Sequence, residues 1–268
     1  MGRRQFACKS SPGSLRYISP MSRKMDAVLE RKYRALEEFT ARVRSHPVGD
    51  QIARMILYGS VLRGDAGPES DVDLLVVATG DVRAAWRALG DIAFEVMLEH
   101  GELISPMVYC PDEYRHPHAF LREVQGTGKE VYRVDENTMR RQEALDLLAL
   151  AQGYLEMAHA LKGKRGYIRG VIDMAYNAAE LSAKGLLLLR EGEWPKTHSG
   201  IVQQFSRAFI VNEPIVEPGV GRAFRQALDW RNRARYDPHA TLTEADAEDV
   251  IGVAEKLANL LQQEVYGP

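Results

Sequence analysis

Two short polar segments in the first third of the chain carry residue types suited to phosphate chemistry. Gly59 and Ser60 follow an apolar run directly, and Asp71 and Asp73 come after a spacer of ten residues. A glycine lets the backbone approach a ligand closely, and a serine with the amides after it can donate hydrogen bonds to phosphate oxygens. Arg63 adds a cation suited to the same charge. The first segment therefore predicts a phosphate-binding turn.

The second segment predicts a metal site. Asp71 and Asp73 are two residues apart, so in a strand both carboxylates project from one face. Two parallel carboxylates repel each other unless a cation lies between them, and Mg²⁺ held by one or two carboxylates and substrate phosphates is a common solution. An isolated Asp-x-Asp pair is usually an exposed polar face and an isolated Gly-Ser is usually a turn. Their joint occurrence in this order favours a metal–nucleotide site.

The elements that would position these residues follow from hydrophobic periodicity. Apolar residues at helical spacing predict helices over 22–45 and 81–100, the second with Trp86 on its inner side. Short apolar or alternating runs predict strands at 55–58, 72–77 and 103–109, the last an edge strand because of Pro106. Residues 61–70 are interpreted as a loop. Residues 111–137 are interpreted as the end of this domain and a linker.

From about residue 138 the period is helical throughout. Apolar stripes predict four long helices and a shorter one over 199–211. The residues that define the long stripes are Ala144, Leu148, Ala151, Leu155 and Ala158; Ile168, Ile172, Ala175, Ala179 and Leu186; Val220, Phe224, Ala227 and Arg231; and Val250, Ala254, Leu257 and Leu261. Long helices joined by short breaks indicate an antiparallel bundle.

Bulk composition excludes several classes of protein. The 268 residues are 45% hydrophobic and 27% charged, with a net charge of −2, so no global affinity for nucleic acid or membrane is indicated. Two cysteines are too few for a disulfide framework or a usual zinc site, which favours a reducing cytoplasm. No apolar run reaches the length needed to cross a bilayer. Residues 1–21 are rich in small and basic residues and predict a disordered arm.

The motif Gly59-Ser60, ten residues, Asp71-Val72-Asp73 resembles the signature of the DNA polymerase β-like nucleotidyltransferases, in particular their minimal (MNT) branch, over about residues 25–115. The resemblance implies that Asp71 and Asp73 are catalytic Mg²⁺ ligands. It also implies that Gly59, Ser60 and Arg63 lie near the phosphates of ATP or another nucleoside triphosphate. Reactions of this superfamily transfer a nucleoside monophosphate to a hydroxyl group.

The chain departs from this family in one respect. Active relatives usually carry a third carboxylate on the next strand, whereas the predicted strand 103–109 has no acid. Glu95, Glu99, Glu102 and Asp112 lie nearby, and each is interpreted as a solvated helix or loop charge.

The second half resembles a HEPN domain over about residues 138–265, on its bundle pattern, on Thr197-His198 and on the stretch Arg231–Pro238. Ribonuclease members of that family carry an Arg, four residues and a His. In this chain the corresponding position is Tyr236, and His239 pairs with Arg233 only at a longer spacing. Arg231, Asn232, Tyr236 and His239 are therefore the motif candidates. The structural alternative for Arg231 is an inward residue that closes a polar network with Tyr236 or Asp237.

These resemblances define the predicted organisation. The fold class is an α/β (α+β) nucleotidyltransferase domain with a short mixed sheet over 22–135, followed by an all-α antiparallel HEPN-like bundle over 136–268. The leading hypothesis is a Mg²⁺-dependent nucleotidyltransferase that modifies a hydroxyl of a small molecule, a protein or RNA. The first alternative is a non-catalytic nucleotide-binding regulator of the toxin–antitoxin type. The second is a HEPN ribonuclease controlled in cis.

Three further expectations concern partners. A homodimer is expected because bundles of this type often pair through their helices. Basic residues of the predicted fourth bundle helix provide a possible contact for RNA: Arg222, Arg225, Arg231, Arg233 and Arg235. Tyr236 is a candidate acceptor of AMP.

Overall fold

A computed structural model describes residues 20–267, with side chains from residue 27 onward. The predicted N-terminal arm, residues 1–21, lies outside the described residues except for its last two, where the first helix begins. The described chain forms a sheet-containing half followed by a helical half, as predicted. The helices of the first half are α1 (Pro20–Ser45), α2 (Gly59–Arg63), α3 (Val82–His100), α4 (Pro111–Arg115) and α5 (Ala119–Thr127). Its strands are β1 (Ile52–Tyr58), β2 (Val72–Ala78), β3 (Ile104–Tyr109) and β4 (Lys129–Arg133).

The four strands form one mixed sheet in the order β3-β2-β1-β4. β1 is antiparallel to both β2 and β4, whereas β2 and β3 are parallel. β3 lies at an edge, as Pro106 predicted. The connection from β2 to β3 runs through α3, because parallel neighbours require a crossover.

Alternate residues of β2 serve different sides of the sheet. Val72, Leu74 and Val76 belong to the core that α1 and α3 cover, whereas Leu75 and Val77 belong to a smaller core under α5. The two-residue period of a strand places Asp73 on the same side as Leu75. The acidic pair therefore faces away from α1 and α3.

Several sequence predictions are wrong in this half. Residues 111–137 are not a linker, because they contain α5 and the fourth strand, which pairs with β1. The predicted loop 61–70 begins within the short helix α2. Trp86, placed on the inner side of its helix, has 57% of its surface exposed. A short strand with charged residues such as β4 gives no hydrophobic signal, since it occupies the sheet edge.

The helical half consists of α6 (Glu136–Leu161), α7 (Ile168–Glu191), α8 (His198–Ser206), α9 (Pro218–Tyr236) and α10 (Glu244–Tyr266). A π-helical segment over Arg207–Asn212 continues α8. The predicted stripes form the core, with Phe224, Leu148 and Leu261 all nearly inaccessible. Val220 and Ile168 only pack against its margin. None of the helices in the described part of the chain combines the length and apolar character needed to span a membrane.

The two halves meet at the end of the sheet where β2 terminates. The backbone amide of Gly80 donates a hydrogen bond of 2.6 Å to Asp146 of α6. Arg115, at the end of α4, forms an ion pair with Glu143 and lies over the ring of Trp194, at 4.6 Å from its centroid. Asp71 and Asp73 stand at the opposite end of β2, and seven strand residues span roughly 20 Å. The acidic pair is therefore remote from these contacts.

Candidate active site

Gly59 and Asp73 are in direct contact at the start of α2. Gly59 has φ +78°, a conformation that favours glycine. A Cβ built on Gly59 would lie 2.0 Å from the carboxylate oxygen Oδ2 of Asp73. The register of the sheet explains this proximity, since Tyr58 and Asp73 are opposite each other on β1 and β2. Glycine is thus required twice here, for its backbone conformation and for the space it leaves.

The acidic pair is only partly neutralised by its surroundings. Burial and the neighbouring charge of Asp71 raise the pKa of Asp73, and Arg63 opposes this shift. Arg63 is itself exposed and shares its charge with Asp65, at 3.3 Å between Nε and Oδ2. The site therefore retains an excess of negative charge, and an oxygen-preferring cation would relieve it.

Ser60 lies within α2, one residue after Gly59, and Arg63 closes that helix. Ser60 is partly accessible and Arg63 is exposed. Their nearness to the acidic pair follows from the contact of Gly59 with Asp73 and from the effect of the Arg63 charge on the pKa of Asp73. The structure thus brings Gly59, Ser60, Arg63 and the two aspartates to one end of the sheet.

A buried ion pair fixes the segment that precedes Asp71, and the sequence prediction missed it. Lys32 of α1 is fully buried and donates to Glu102 at 2.5 Å and to the carbonyl oxygen of Ser70 at 2.5 Å. Glu102 is 2% exposed, so its interpretation as a solvated charge is wrong. Lys32 stands in the apolar stripe of α1, between Leu29 and Leu36. A lysine at an inward position is the signal that indicates a buried partner.

On β3, the strand expected to carry a third acid, the residue beside Asp73 is Ser105. Parallel pairing sets Asp73 opposite Ser105 of β3, and both side chains project from the same face. Among the described residues, no group of three or more His, Cys, Asp or Glu side chains is arranged to hold a metal ion. The site consequently has two carboxylates and a hydroxyl where three carboxylates would be expected.

Aromatic residues continue the same face of the sheet beyond Asp73. Tyr58 contacts Phe120 edge to face at 5.5 Å, and Phe120 stacks on His118 at 6.2 Å. His118 in turn contacts Tyr109 at 5.9 Å. Met107, 41% exposed, accepts a hydrogen bond from the Tyr58 hydroxyl at 3.1 Å. We call these five residues the aromatic shelf.

Tyr58 joins the shelf to the acidic pair. Burial, with the nearby charge of Asp73, raises the pKa of Tyr58 to about 12. Its hydroxyl therefore stays protonated at neutral pH and acts as a hydrogen-bond donor.

A second polar cluster lies inside the helical half, around Arg231 of α9. Arg231 is 4% exposed and contacts His198 Nε2 at 3.3 Å and Asp173 at 3.8 Å. His198 also pairs through Nδ1 with Glu180, a residue that receives a hydrogen bond of 3.0 Å from Tyr176. Burial raises the pKa of Glu180, but His198 and then Lys184 outweigh it, and the net shift is downward.

The HEPN motif candidates are only partly brought together. Asn232 accepts from Arg231 at 3.2 Å, and the ring of Tyr236 lies 6.0 Å from the Arg231 guanidinium. Tyr236 is 72% exposed, and His239 follows the end of α9 on the surface. The prediction that Arg231 points inward is confirmed. Its main partners are His198 and Asp173, whereas the predicted partner Asp237 takes no part.

Comparisons with known proteins find a nucleotidyltransferase domain in the first half of the chain and a HEPN domain in the second. The profile of the nucleotidyltransferase domain matches residues 34–133, and the profile of the HEPN domain matches residues 144–264. Two Methanocaldococcus jannaschii proteins with provisional names as protein adenylyltransferases are 32% and 36% identical to this chain over 101 and 83 residues. Those regions cover 37% and 31% of this chain and 96% and 81% of the relatives.

A solved spectinomycin adenyltransferase from Enterococcus faecialis, with ATP and spectinomycin, is 12% identical. The alignment covers 86% of this chain and 99% of that one, with a TM-score of 0.28. The family assignment depends on the profiles and the archaeal relatives, which together account for both halves. The chain belongs to the minimal nucleotidyltransferases of the DNA polymerase β-like superfamily, is a nucleoside monophosphate transferase, and carries a HEPN domain after its catalytic domain.

Proposed function

We propose that this chain transfers AMP from ATP to a hydroxyl group of a protein, in a reaction that depends on Mg²⁺. The observation that carries the proposal is the incompletely neutralised pair Asp71 and Asp73 at one end of the sheet, with Asp73 in contact with Gly59. The names of the archaeal relatives support ATP as the nucleotide and a protein as the acceptor. A small molecule or RNA remains the competing acceptor class.

The residues present fit a divalent cation. Asp71 and Asp73 would hold Mg²⁺, which supplies positive charge to the phosphates when bound. Gly59 allows the chain to approach the phosphates, and Ser60 and Arg63 provide a donor and a cation beside them. The acceptor oxygen forms a bond to the α-phosphorus, the bond to the β-phosphate oxygen breaks, pyrophosphate leaves, and the hydroxyl proton passes to solvent.

The aromatic shelf favours a flat, uncharged acceptor group. It extends along β3 from Ser105, the position next to Asp73. Its exposed members are the Met107 thioether and the His118 ring, and its other three rings are partly buried; these groups attract other rings by stacking and apolar contact. None of the five shelf residues is a carboxylate, so the shelf offers no charge partner to a polycationic small molecule. A tyrosine hydroxyl on a protein therefore fits the shelf best.

Transfer of labelled AMP from ATP to proteins of a cell extract tests this proposal. We expect Mg²⁺-dependent label on protein with the native chain and a loss of at least about 100-fold when Asp71→Asn and Asp73→Asn are combined. Glu69→Gln is the matched control, since Glu69 is an exposed acid of the same loop. Equal labelling by the double variant and the control would refute the assignment.

A second candidate function is a regulator that binds ATP without transferring AMP. β3 favours it, because this strand has no acid and its residue beside Asp73 is Ser105. Calorimetry separates the two: Mg²⁺-dependent ATP binding that is lost in the double variant, with no labelled product from the native chain, would identify the regulator. Arg231 is buried and cannot meet RNA, so RNA contact through α9 stays a prediction for its exposed arginines alone. A cytoplasmic location and a homodimer also stay predictions.

A further inference from the structure

The outer face of α3 exposes an unusual apolar ridge. Trp86, Phe94 and Leu98 have 57%, 56% and 68% of their surfaces exposed. With Gly90 they are spaced four residues apart, so they form one continuous i, i+4 ridge along the helix. A Cβ at Gly90 would meet no atom within 4 Å. The ridge is therefore open along its length and lowest at Gly90. Large exposed apolar residues in such a row are typical of interaction sites.

A parallel ridge beside it carries charges in two blocks. Arg83 and Arg87 precede Gly90, whereas Asp91 and Glu95 follow it. Arg83, Arg87 and Asp91 are exposed, and none of them forms an ion pair with another described residue. Glu95 is only loosely held, at 3.5 Å from Arg42. A surface with positive charge on one side of its centre and negative charge on the other is complementary to itself after a two-fold rotation.

We propose that α3 binds a second copy of this chain, with the two helices antiparallel and crossing near Gly90. In that arrangement Trp86 meets Phe94 of the second copy, and Arg87 lies within reach of the opposite Asp91. Packing of two i, i+4 ridges favours a crossing angle of about −50°, and the small side chain of glycine permits close approach at the crossing point. The two-fold arrangement uses the same surface twice and closes on itself, so it produces a dimer rather than a fibre.

This interface differs from pairing through the helical bundle and leaves the catalytic face accessible. α3 covers the core that contains Val72, Leu74 and Val76, whereas Asp73 faces the other side of the sheet. The proposal does not require AMP transfer to be correct. A single helix pair buries less than a standard interface of ~1,600 Å², so we expect a reversible dimer with a dissociation constant on the order of 1–100 μM.

Sedimentation of the full chain over a concentration series tests the proposal through its charges. In a dimer of Arg87→Asp, positions 87 and 91 of the two copies bring four acids together at the crossing. In a dimer of Asp91→Arg they bring four bases together. Like charges repel in both cases, so each variant alone should stay monomeric. An equimolar mixture of the two should dimerise again, because each acidic surface then meets a basic one. Phe94→Lys should weaken the native dimer at least about 10-fold, since it places a charge in the apolar ridge.

Leu150→Lys on α6 provides the control, because Leu150 is 52% exposed but lies on the helical half. It should leave the dimer unchanged. A chain that is monomeric throughout the series, a dimer that survives Phe94→Lys, or a dimer lost in Leu150→Lys would each overturn the proposal. Circular dichroism of every variant establishes that the fold is intact.

Discussion

The two polar clusters of this chain differ in how their charges are balanced. At the end of the sheet, burial and the charge of Asp71 raise the pKa of Asp73, and the opposing charge of Arg63, itself paired with Asp65, does not outweigh them. In the helical half, Glu180 is surrounded by His198 and Lys184, and its pKa is lowered although it is more deeply buried. Burial acts in the same direction at both carboxylates, so the neighbouring charges decide the sign.

This difference separates a site that requires a ligand from a network that supports a fold. The helical cluster already contains its cations: Arg231 and Arg235 face Asp173, and Lys184 faces Glu180. The sheet cluster does not contain enough cations to neutralise its two aspartates. Carboxylates whose mutual repulsion is not compensated favour the binding of a cation, which relieves it. Carboxylates that already have cationic partners in the protein contribute to its stability instead.

Removal of Arg231, the buried cation of the helical cluster, should give the largest effect on stability. Arg231→Met keeps an apolar stem but removes the buried cation beside His198 and Asp173, which then keep only Glu180 and the more exposed Arg235 as partners. We therefore expect a loss of about 3 kcal/mol in the free energy of unfolding. Urea denaturation measures it. Arg233→Met, on the exposed side of the same helix, is the control and should change little. If Arg231→Met abolished Mg²⁺–ATP binding in the folded protein, the separation of the two clusters would be wrong.

Gly59→Ala should reduce AMP transfer by about 30-fold, or about 2 kcal/mol. The new Cβ would collide with Asp73 and displace its carboxylate. Gly64→Ala separates this effect from backbone strain, because Gly64 has a similar φ of +80° but no atom within 4 Å of its Cβ position. Both variants should lose similar stability, measured by thermal unfolding. Equal loss of transfer in both would show that strain, rather than contact with Asp73, is responsible.

The sequence predicts most of the fold because its signals are local. The apolar stripe of α7 and the alternation in β2 each require only one element, so Ala175 and Leu74 are correctly placed in the core. The fourth strand could not be found in this way. Lys129–Arg133 has no apolar run, and it becomes a strand only because β1 offers an edge for it to pair with.

The same limit applies to the candidate site: contacts within the motif can be predicted from the sequence, and contacts between distant elements cannot. The motif predicts that Gly59 and Asp73 act together, and the structure places them in contact. Lys32 and Glu102 are 70 residues apart, so no local pattern connects them, although a lysine in an apolar stripe points to a buried acid. The partner of Arg231 posed the same problem, since His198 comes from another helix.

Ser105→Asp would sharpen the comparison by making the sheet cluster still more acidic. A third carboxylate opposite Asp73 should strengthen Mg²⁺–ATP binding by roughly 10-fold, because another anionic oxygen becomes available to the metal. The same change should lower stability without Mg²⁺. Calorimetry and thermal unfolding measure the two effects. Ser105→Asn, similar in size but neutral, should show neither, and an equal gain in binding for both variants would contradict the electrostatic explanation.

The smallest effect concerns the pH dependence of stability, which should have opposite signs in the two clusters. The folded pKa of Asp73 is above its ordinary value of 3.8, so its ionised form is unfavourable in the folded protein at neutral pH. Asp73→Asn should therefore raise the metal-free Tm slightly, by about 1–3 °C, at pH 7. This gain should shrink as the pH falls through the folded pKa and vanish below 3.8, where the native carboxyl is neutral in both states.

Glu180→Gln should behave in the opposite way. The folded pKa of Glu180 is below its ordinary value of 4.5, so its ionised form stabilises the folded protein above that pH. The variant should be less stable than the native chain at pH 7, and the deficit should shrink as the pH falls through the folded pKa. Thermal unfolding of both variants between about pH 3 and pH 8 measures the contrast. Adding Mg²⁺ at pH 7 should raise the Tm of the native chain and of Glu180→Gln but not that of Asp73→Asn, because only the last lacks a carboxylate of the proposed metal site. If Mg²⁺ stabilised all three equally, it would bind elsewhere, and the excess charge beside Gly59 would have no ligand to explain it.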